Sequence, residues 1–445
     1  MEKRKVHDGS SGTGYRKKGA ASLAAIFLCL AVTACNGAAG DASEPAPAAD
    51  KPAVQDSKEP VELVVYNASN STATAEAFMD SDIGKEIKEK FPQVTIKFIA
   101  TGKGTTANEL LVSGQDVDLI LCSVFSFPVL ADTGLLYDIG DLIKQNRYDT
   151  SRLVPNAIEF QKQFGGGVYG FPVASAPTAL FYNKDIFDKF GVPYPKDGMT
   201  WDETYELAKQ LTQTDAGTSY YGFATRYPFM YNTNQLSLSY YNPDSQSVQV
   251  SDDRFRLFME NFTRFAQIPG NEKATTDMFA KEKNVAMMAY QIGRWDFDSW
   301  DMVSMPTFKE APGIGPQDYG TYMNISSTSK HKQQAFEVLE ALTSDEYQMK
   351  ISKAGTLPIV RTPEVVQAFG QLSDAASGRN FKGKNVGAFF PKERARPSYV
   401  TKYDDAIAKR MNTAFSQIVS GGTNPVSALR EAQEGAEKDV SAMKK

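Results

Sequence analysis

Cysteine and histidine are scarce in this chain, and their scarcity excludes several kinds of protein. Of 445 residues, three are cysteine and two are histidine. Cys29 lies within an apolar run near the N-terminus, Cys35 directly follows that run, and Cys122 is alone in the rest. A disulfide framework is therefore excluded, and stability must come from a buried core. His331 sits in the polar cluster "SKHKQQ" at a helix start, so neither a histidine-based triad nor a histidine zinc site is expected. There is no G-x-S-x-G motif. No cofactor is implied, and no transporter segment or nucleotide site is present. A formal charge of −5 argues against nucleic acid as a partner.

Residues 1–34 read as a secretory signal. Arg16, Lys17 and Lys18 precede the apolar run "AASLAAIFLCLAVTA", which is too short to span a bilayer as a stable helix. The run closes in "VTAC", with Val32 three residues before Cys35 and small residues between. This resembles the lipobox of bacterial lipoproteins. It implies lipidation at Cys35, cleavage before it, and a mature chain anchored on the extracytoplasmic face of the cell membrane. An uncleaved anchor with an incidental cysteine is the alternative. Cleavage removes six basic and two acidic residues, which takes the charge from −5 to −9. Residues 36–60 are Ala, Pro and acidic residues with little to bury, so 35–60 is expected to be a lipidated cysteine and a solvated tether.

From Val61 onward the chain is longer than one core usually supports, and two lobes are expected. "VELVVYNAS", "VTIKFI" and "DVDLILCSV" read as strands separated by helical segments, the last with the unbroken apolar character of a buried parallel strand. This β-α-β-α-β order predicts an open sheet with ligand-binding loops at the carboxyl ends of its strands. Thr200 and Glu203 form a T-x-x-E capping box, and Trp201, Tyr205, Ala208 and Leu211 fall on one face of the helix it starts. Later, Ala335, Val338, Leu339 and Leu342 make a buried stripe, and Ser344 and Gly355 bound another helix. The "FGGGVYG" glycines precede no Lys-Ser/Thr and are not a phosphate-binding loop.

Four segments together carry a resemblance: "YGFPVASAPTALFYNKDIFDKFGVPYPKDGMTWDETYELA", "FAKEKNVAMMA" with "GRW" close behind, "DMVSMPTF", and "SSTSKHKQQAFEVLEALTSDEYQ". Their order and spacing resemble the family 1, maltose-binding-protein-like extracellular solute-binding proteins of ABC importers. The resemblance implies an α/β fold of two lobes joined by hinge crossings and closing on a solute. Crossings would lie near Gly170 to Ala174, Tyr319 to Ser326 and Leu357 to Pro363. Lobe one would be residues 61–172 plus 325–360, and lobe two 173–324 plus 361–445.

By position in the family pattern, Trp295 falls where relatives place a ring-stacking aromatic, the alternative being a core of the second lobe. Tyr227 and Phe229, in "TRYPF", fit cleft aromatics or core equally. Asn67 and Ser69 follow the first strand, and Ser123 and Phe125 follow the third; both pairs should face the cleft, unless they serve turns. The resemblance also places Ser175 just past the first crossing, where the family often reaches the solute from the hinge, and Tyr322 with Asn324 at the second crossing in the same role. Arg294 is a candidate for an acidic solute, with a salt bridge as its other role. Trp201 and Trp300 read as structural, and Cys122 as a small apolar residue.

The function this implies is capture of a mono- or oligosaccharide by hinge closure, with delivery to a separate ABC permease and ATPase by a monomeric lipoprotein. Alternatives are a binding protein for a peptide or another polar solute, and a secreted glycoside hydrolase. The last would need two cleft carboxylates, and the spacing of Asp296 and Asp298 does not mark them as such.

Overall fold

The continuous apolar runs become the inner strands of two separate sheets. A computed structural model describes residues 59–318, 320–374 and 379–444; the expected export signal, Cys35 and nearly all of the expected tether lie outside them. Among the described residues, no helix is long and apolar enough to cross a membrane. The first sheet takes β1 (Val61–Asn67), β2 (Val94–Ala100), β3 (Leu119–Ser123) and β4 (Gly170–Ser175). The second takes β5 (Thr178–Asn183), β6 (Gln213–Asp215), β7 (Thr218–Thr225), β8 (Val285–Gln291) and β9 (Trp300–Val303). The chain then returns to the first sheet as β10 (Gly320–Ile325).

The first sheet has the order β2-β1-β3-β10-β4. β1 runs parallel to β2 and β3, with Val65 opposite both Phe98 and Leu119. The helices Asp82–Lys90 and Ala107–Ser113 connect these strands, the second started by a Thr106–Glu109 capping box. β10 inserts antiparallel between β3 and β4. It lies so close to β4 that a Cβ at Gly170 would stand 2.1 Å from the Met323 carbonyl oxygen, so only glycine fits.

The second sheet, ordered β9-β5-β8-β7-β6, is covered on both faces. Every residue of β5 is buried, and alternation splits the strand: Leu180 and Tyr182 enter one core, Ala179 and Phe181 another. Trp201 follows its capping box into the first of these cores. The helices Asp404–Val419 and Pro425–Met443 close the same core through Ile407, Met411, Leu429 and Val440.

The joints fall a few residues from the expected places. β4 stays in the first sheet to Ser175, so the chain leaves that lobe at Ala176–Pro177 rather than after 172, where Pro177 lacks the N–H a ladder needs. The whole of β10 from Gly320 belongs to the first sheet, which puts Tyr322 and Asn324 on a lobe strand and not at a crossing. A further segment, 395–400, bonds to both lobes. Asn156 and Gln163 of the first lobe donate to the Ala395 and Ser398 carbonyls at 3.1 Å, and Ser237 of the second to the Arg396 carbonyl at 2.9 Å.

Candidate functional site

Where the lobes meet, a cavity of about 210 Å³ draws its lining from both and from the segments that join them. From the first lobe come Phe125, just past the carboxyl end of β3, Phe160 of the helix Pro155–Lys162, and Tyr322 of β10. The Phe160 and Tyr322 rings are 5.7 Å apart. Thus β3 and β10 place flat apolar faces on one wall.

The second-lobe wall is built on two helices. Tyr231, on Tyr227–Asn232, stacks on Tyr240 at 3.7 Å with 5° between the planes. Asn234 fixes this turn: its Nδ2 donates to the Tyr231 carbonyl and its Oδ1 accepts from the Leu238 N–H, both at 2.7 Å. On the helix Asp404–Val419, Asp404, Ala408 and Asn412 recur every fourth residue and face the cavity, with Asp405 beside them. Ile407, Met411 and Ile418 bury the opposite stripe. The joining segments supply Gln317, Asp318 and Ser398. Gln317 Nε2 donates to Ser398 Oγ, and the Ser398 N–H donates to Gln317 Oε1, each at 2.8 Å, which ties two joining segments together.

The carboxylates sit in different fields. Burial pushes Asp318 up, but the Arg394 and Arg361 guanidiniums, at 3.4 and 2.8 Å, outweigh it and hold the group below the usual carboxylate range. Asp318 therefore braces the hinge as a charged group. Asp404 keeps some exposed surface, but its carboxyl end is buried; burial raises it to about 7, against a hydrogen bond from Thr401 Oγ1 at 2.6 Å. Burial likewise raises the Tyr231 and Tyr240 phenols well above 10, with nearby Asp404 adding to the effect.

The sequence profile of the bacterial extracellular solute-binding proteins matches residues 68–349, more than half of the chain. The chain belongs to this family. Among solved structures, this solute-binding protein resembles a sugar transporter protein of Rhizobium etli in an open conformation, at TM-score 0.66 and 19% identity over 84% of this chain and 99% of that one. It also resembles an ABC substrate-binding protein of Listeria monocytogenes in complex with cycloalternan, at TM-score 0.65 and 20% identity over 85% and 99%. At these identities the likeness establishes the two-lobed fold. A sequence relative, the sn-glycerol-3-phosphate-binding periplasmic protein of Rhizobium meliloti, is 26% identical over 31% of this chain. The match spans only 34% of that protein's length. A putative binding protein of Brucella abortus is 22% identical over 79% of this chain and 88% of its own.

Of the residues singled out in the sequence, Phe125 and Tyr322 line the interlobe cavity of this solute-binding protein. Tyr227 and Phe229 line an adjoining groove of about 570 Å³ that shares Pro228, Asn232 and Asn412 with it. Trp295 corrects its expectation. It is buried among Phe181, Phe279 and Trp300 at 4.8 to 5.0 Å, and it packs a core of the second lobe without lining the cavity. Arg294 is exposed beside Arg379 and away from the cavity. Asn67, Ser69 and Ser123 do gather at the carboxyl ends of β1 and β3, but they bond with one another: Asn67 Oδ1 accepts from the Ser69 N–H at 3.1 Å, and Ser69 Oγ from the Ser123 N–H at 2.8 Å. Ser175 is buried, its N–H donating to the Leu357 carbonyl at 3.0 Å. Cys122 is buried, and its thiol is pushed up to about 12, which makes it an inert core residue.

Sequence reading missed Tyr231, Tyr240, Asp318, Asp404 and Asn412. For the last two a signal existed, since a polar stripe at Asp404 and Asn412 faces an apolar one on the same helix.

Proposed function

We propose that this protein is the solute-capturing subunit of an ABC importer and that its solute is a saccharide. The observation that carries this reading is a cavity lined at once by both lobes and by the segments joining them. A solute that touches both walls favours the closed arrangement by its differential contacts, and closure delivers it to a separate permease and ATPase. Rings on both walls offer faces for the C–H surface of a sugar, while Asn156, Asn232, Asn412 and the carboxylates offer partners for its hydroxyls. The adjoining groove, with Tyr227, Phe229 and Tyr290, extends this surface toward a second sugar unit. We further propose that the monomer is tethered through a lipid on Cys35, which keeps it near its permease.

The relatives named for sn-glycerol 3-phosphate favour a second reading, a phosphorylated polyol. Differential scanning fluorimetry against maltose, mannobiose, ribitol, glycerol 3-phosphate and short peptides tests both. A solute present at a hundred times its Kd stabilises by about 2.7 kcal/mol, enough to raise the melting temperature visibly. A shift with peptides and with no saccharide would overturn the saccharide reading.

A further inference from the structure

We propose that the cleft selects an uncharged polyhydroxylated solute and rejects anions, and that Asp404 determines this specificity by accepting hydrogen bonds from the solute's hydroxyls in its ionised form. The inference rests on the capture reading above and deepens it by naming the charge class of the solute.

The first support is the charge around the cavity. Among its described lining residues there are three acids, Asp318, Asp404 and Asp405, and no Lys, Arg or His. An anion entering this space would meet carboxylates with no cation to pair with it, in a setting of low dielectric. Four of the cations nearby are engaged elsewhere, while Arg396, beside the lining residues Pro397 and Ser398, is exposed to solvent. Arg361 and Arg394 stand behind Asp318, and Arg394 also donates to the Phe389 carbonyl at 2.7 Å and the Pro316 carbonyl at 3.3 Å. Arg226, in the adjoining groove, pairs with Asp277 at 3.2 Å and donates to Thr276 Oγ1 at 3.0 Å. Lys402 is paired with Asp132 at 2.9 Å. Each of these four would have to leave a partner to meet a phosphate.

The second support is the setting of Asp404 itself. Among the described residues its carboxyl is held by Thr401 alone, which donates from Oγ1 to Oδ1 at 2.6 Å and also from its backbone N–H, and the side chain stands in the cavity lining. The groups facing it are Asp405 on its own helix, Tyr231 and Tyr240 from the stacked pair, and Tyr399 from the joining segment. None is cationic, so burial leaves this carboxyl holding its proton up to about pH 7. Hydroxyl donors brought by a solute stabilise the ionised form. Binding then releases a proton, and affinity rises with pH until the free protein is itself ionised. An anion shows the opposite trend, because it prefers the protonated carboxyl.

Isothermal titration calorimetry of the mature chain with maltose, mannobiose and glycerol 3-phosphate, from pH 5.5 to 8.5, tests this. We expect a saccharide to bind on the order of tenfold more tightly at pH 7.5 than at pH 5.5. Glycerol 3-phosphate should bind at least about a hundredfold more weakly than that saccharide. Asp404→Asn, whose amide oxygen still accepts from a hydroxyl, should bind the saccharide with no pH dependence. The double variant D404N/D405N should gain at least about tenfold for glycerol 3-phosphate. Tight phosphate binding by the unaltered protein, or pH dependence that survives in Asp404→Asn, overturns the proposal while leaving capture by closure intact. A peptide that binds where every saccharide fails removes the saccharide reading and this proposal with it.

Discussion

The first-lobe wall of the cleft presents mainly rings, whereas the second-lobe wall presents rings together with ionisable groups. The polar residues of the first lobe stand at the carboxyl ends of β1 and β3, where turns leave backbone N–H groups in need of acceptors. Asn67 and Ser69 satisfy those groups. On the second lobe, the first turn of the helix Asp404–Val419 carries Asp404 and Asp405, and its backbone leaves both carboxylates turned to the cavity. Strand ends thus fix where the cleft is, and a helix start supplies much of its hydrogen-bonding capacity.

Three substitutions separate these roles, beginning with the one expected to act most strongly. Trp295→Ala removes a ring packed against Phe181, Phe279 and Trp300 and leaves a cavity in the core, costing about 3–5 kcal/mol in a denaturant titration. The folded fraction should keep its affinity for saccharide. A variant of normal stability that cannot bind would return Trp295 to the cleft and give the second wall a third ring.

Asp404→Asn comes next, read as stability against pH. The folded protein holds this proton up to about pH 7, while an unfolded aspartate loses it near ~3.9. Between these values the folded state binds more protons, so the residue's contribution falls as pH rises from about 4 to about 7. Asparagine cannot ionise. The variant should gain on the order of 3 kcal/mol at pH 8 and almost nothing at pH 4. An equal gain at both pH values would show that the carboxyl is not buried as described.

The position of β3 was legible because a strand buried on both faces must be apolar along its length, and "LILC" is such a run. The capping box at Thr200 was legible for a local reason, since both its bonds close within four residues. Trp295 was misplaced because an indole suits a cleft wall and a core alike, and "GRW" does not reveal that Phe181 and Trp300 converge on it from other strands. The lobe boundary slipped because Phe171 and Val173 continue an apolar pattern to the end of β4; Pro177 was the better marker. Asp404 went unnoticed because an acid in a first helical turn is ordinary, and only the tertiary fold buries this one among tyrosines.

The smallest effect is expected at Ser69, where the difference between the walls is tested most directly. Its hydroxyl shares a hydrogen bond with Ser126 Oγ at 2.6 Å and accepts from the Ser123 N–H at 2.8 Å, and the residue is exposed. In Ser69→Ala, water can take over the Ser123 N–H, so the stability loss should stay below about 1 kcal/mol. Because that hydroxyl is already committed within the turn, saccharide affinity should change by less than about twofold. A tenfold loss of affinity in calorimetry, with the melting temperature unchanged, would mean that the turn opens to the solute on closure. The first lobe would then recognise hydroxyls as well as present rings, and the division between the two walls would fail.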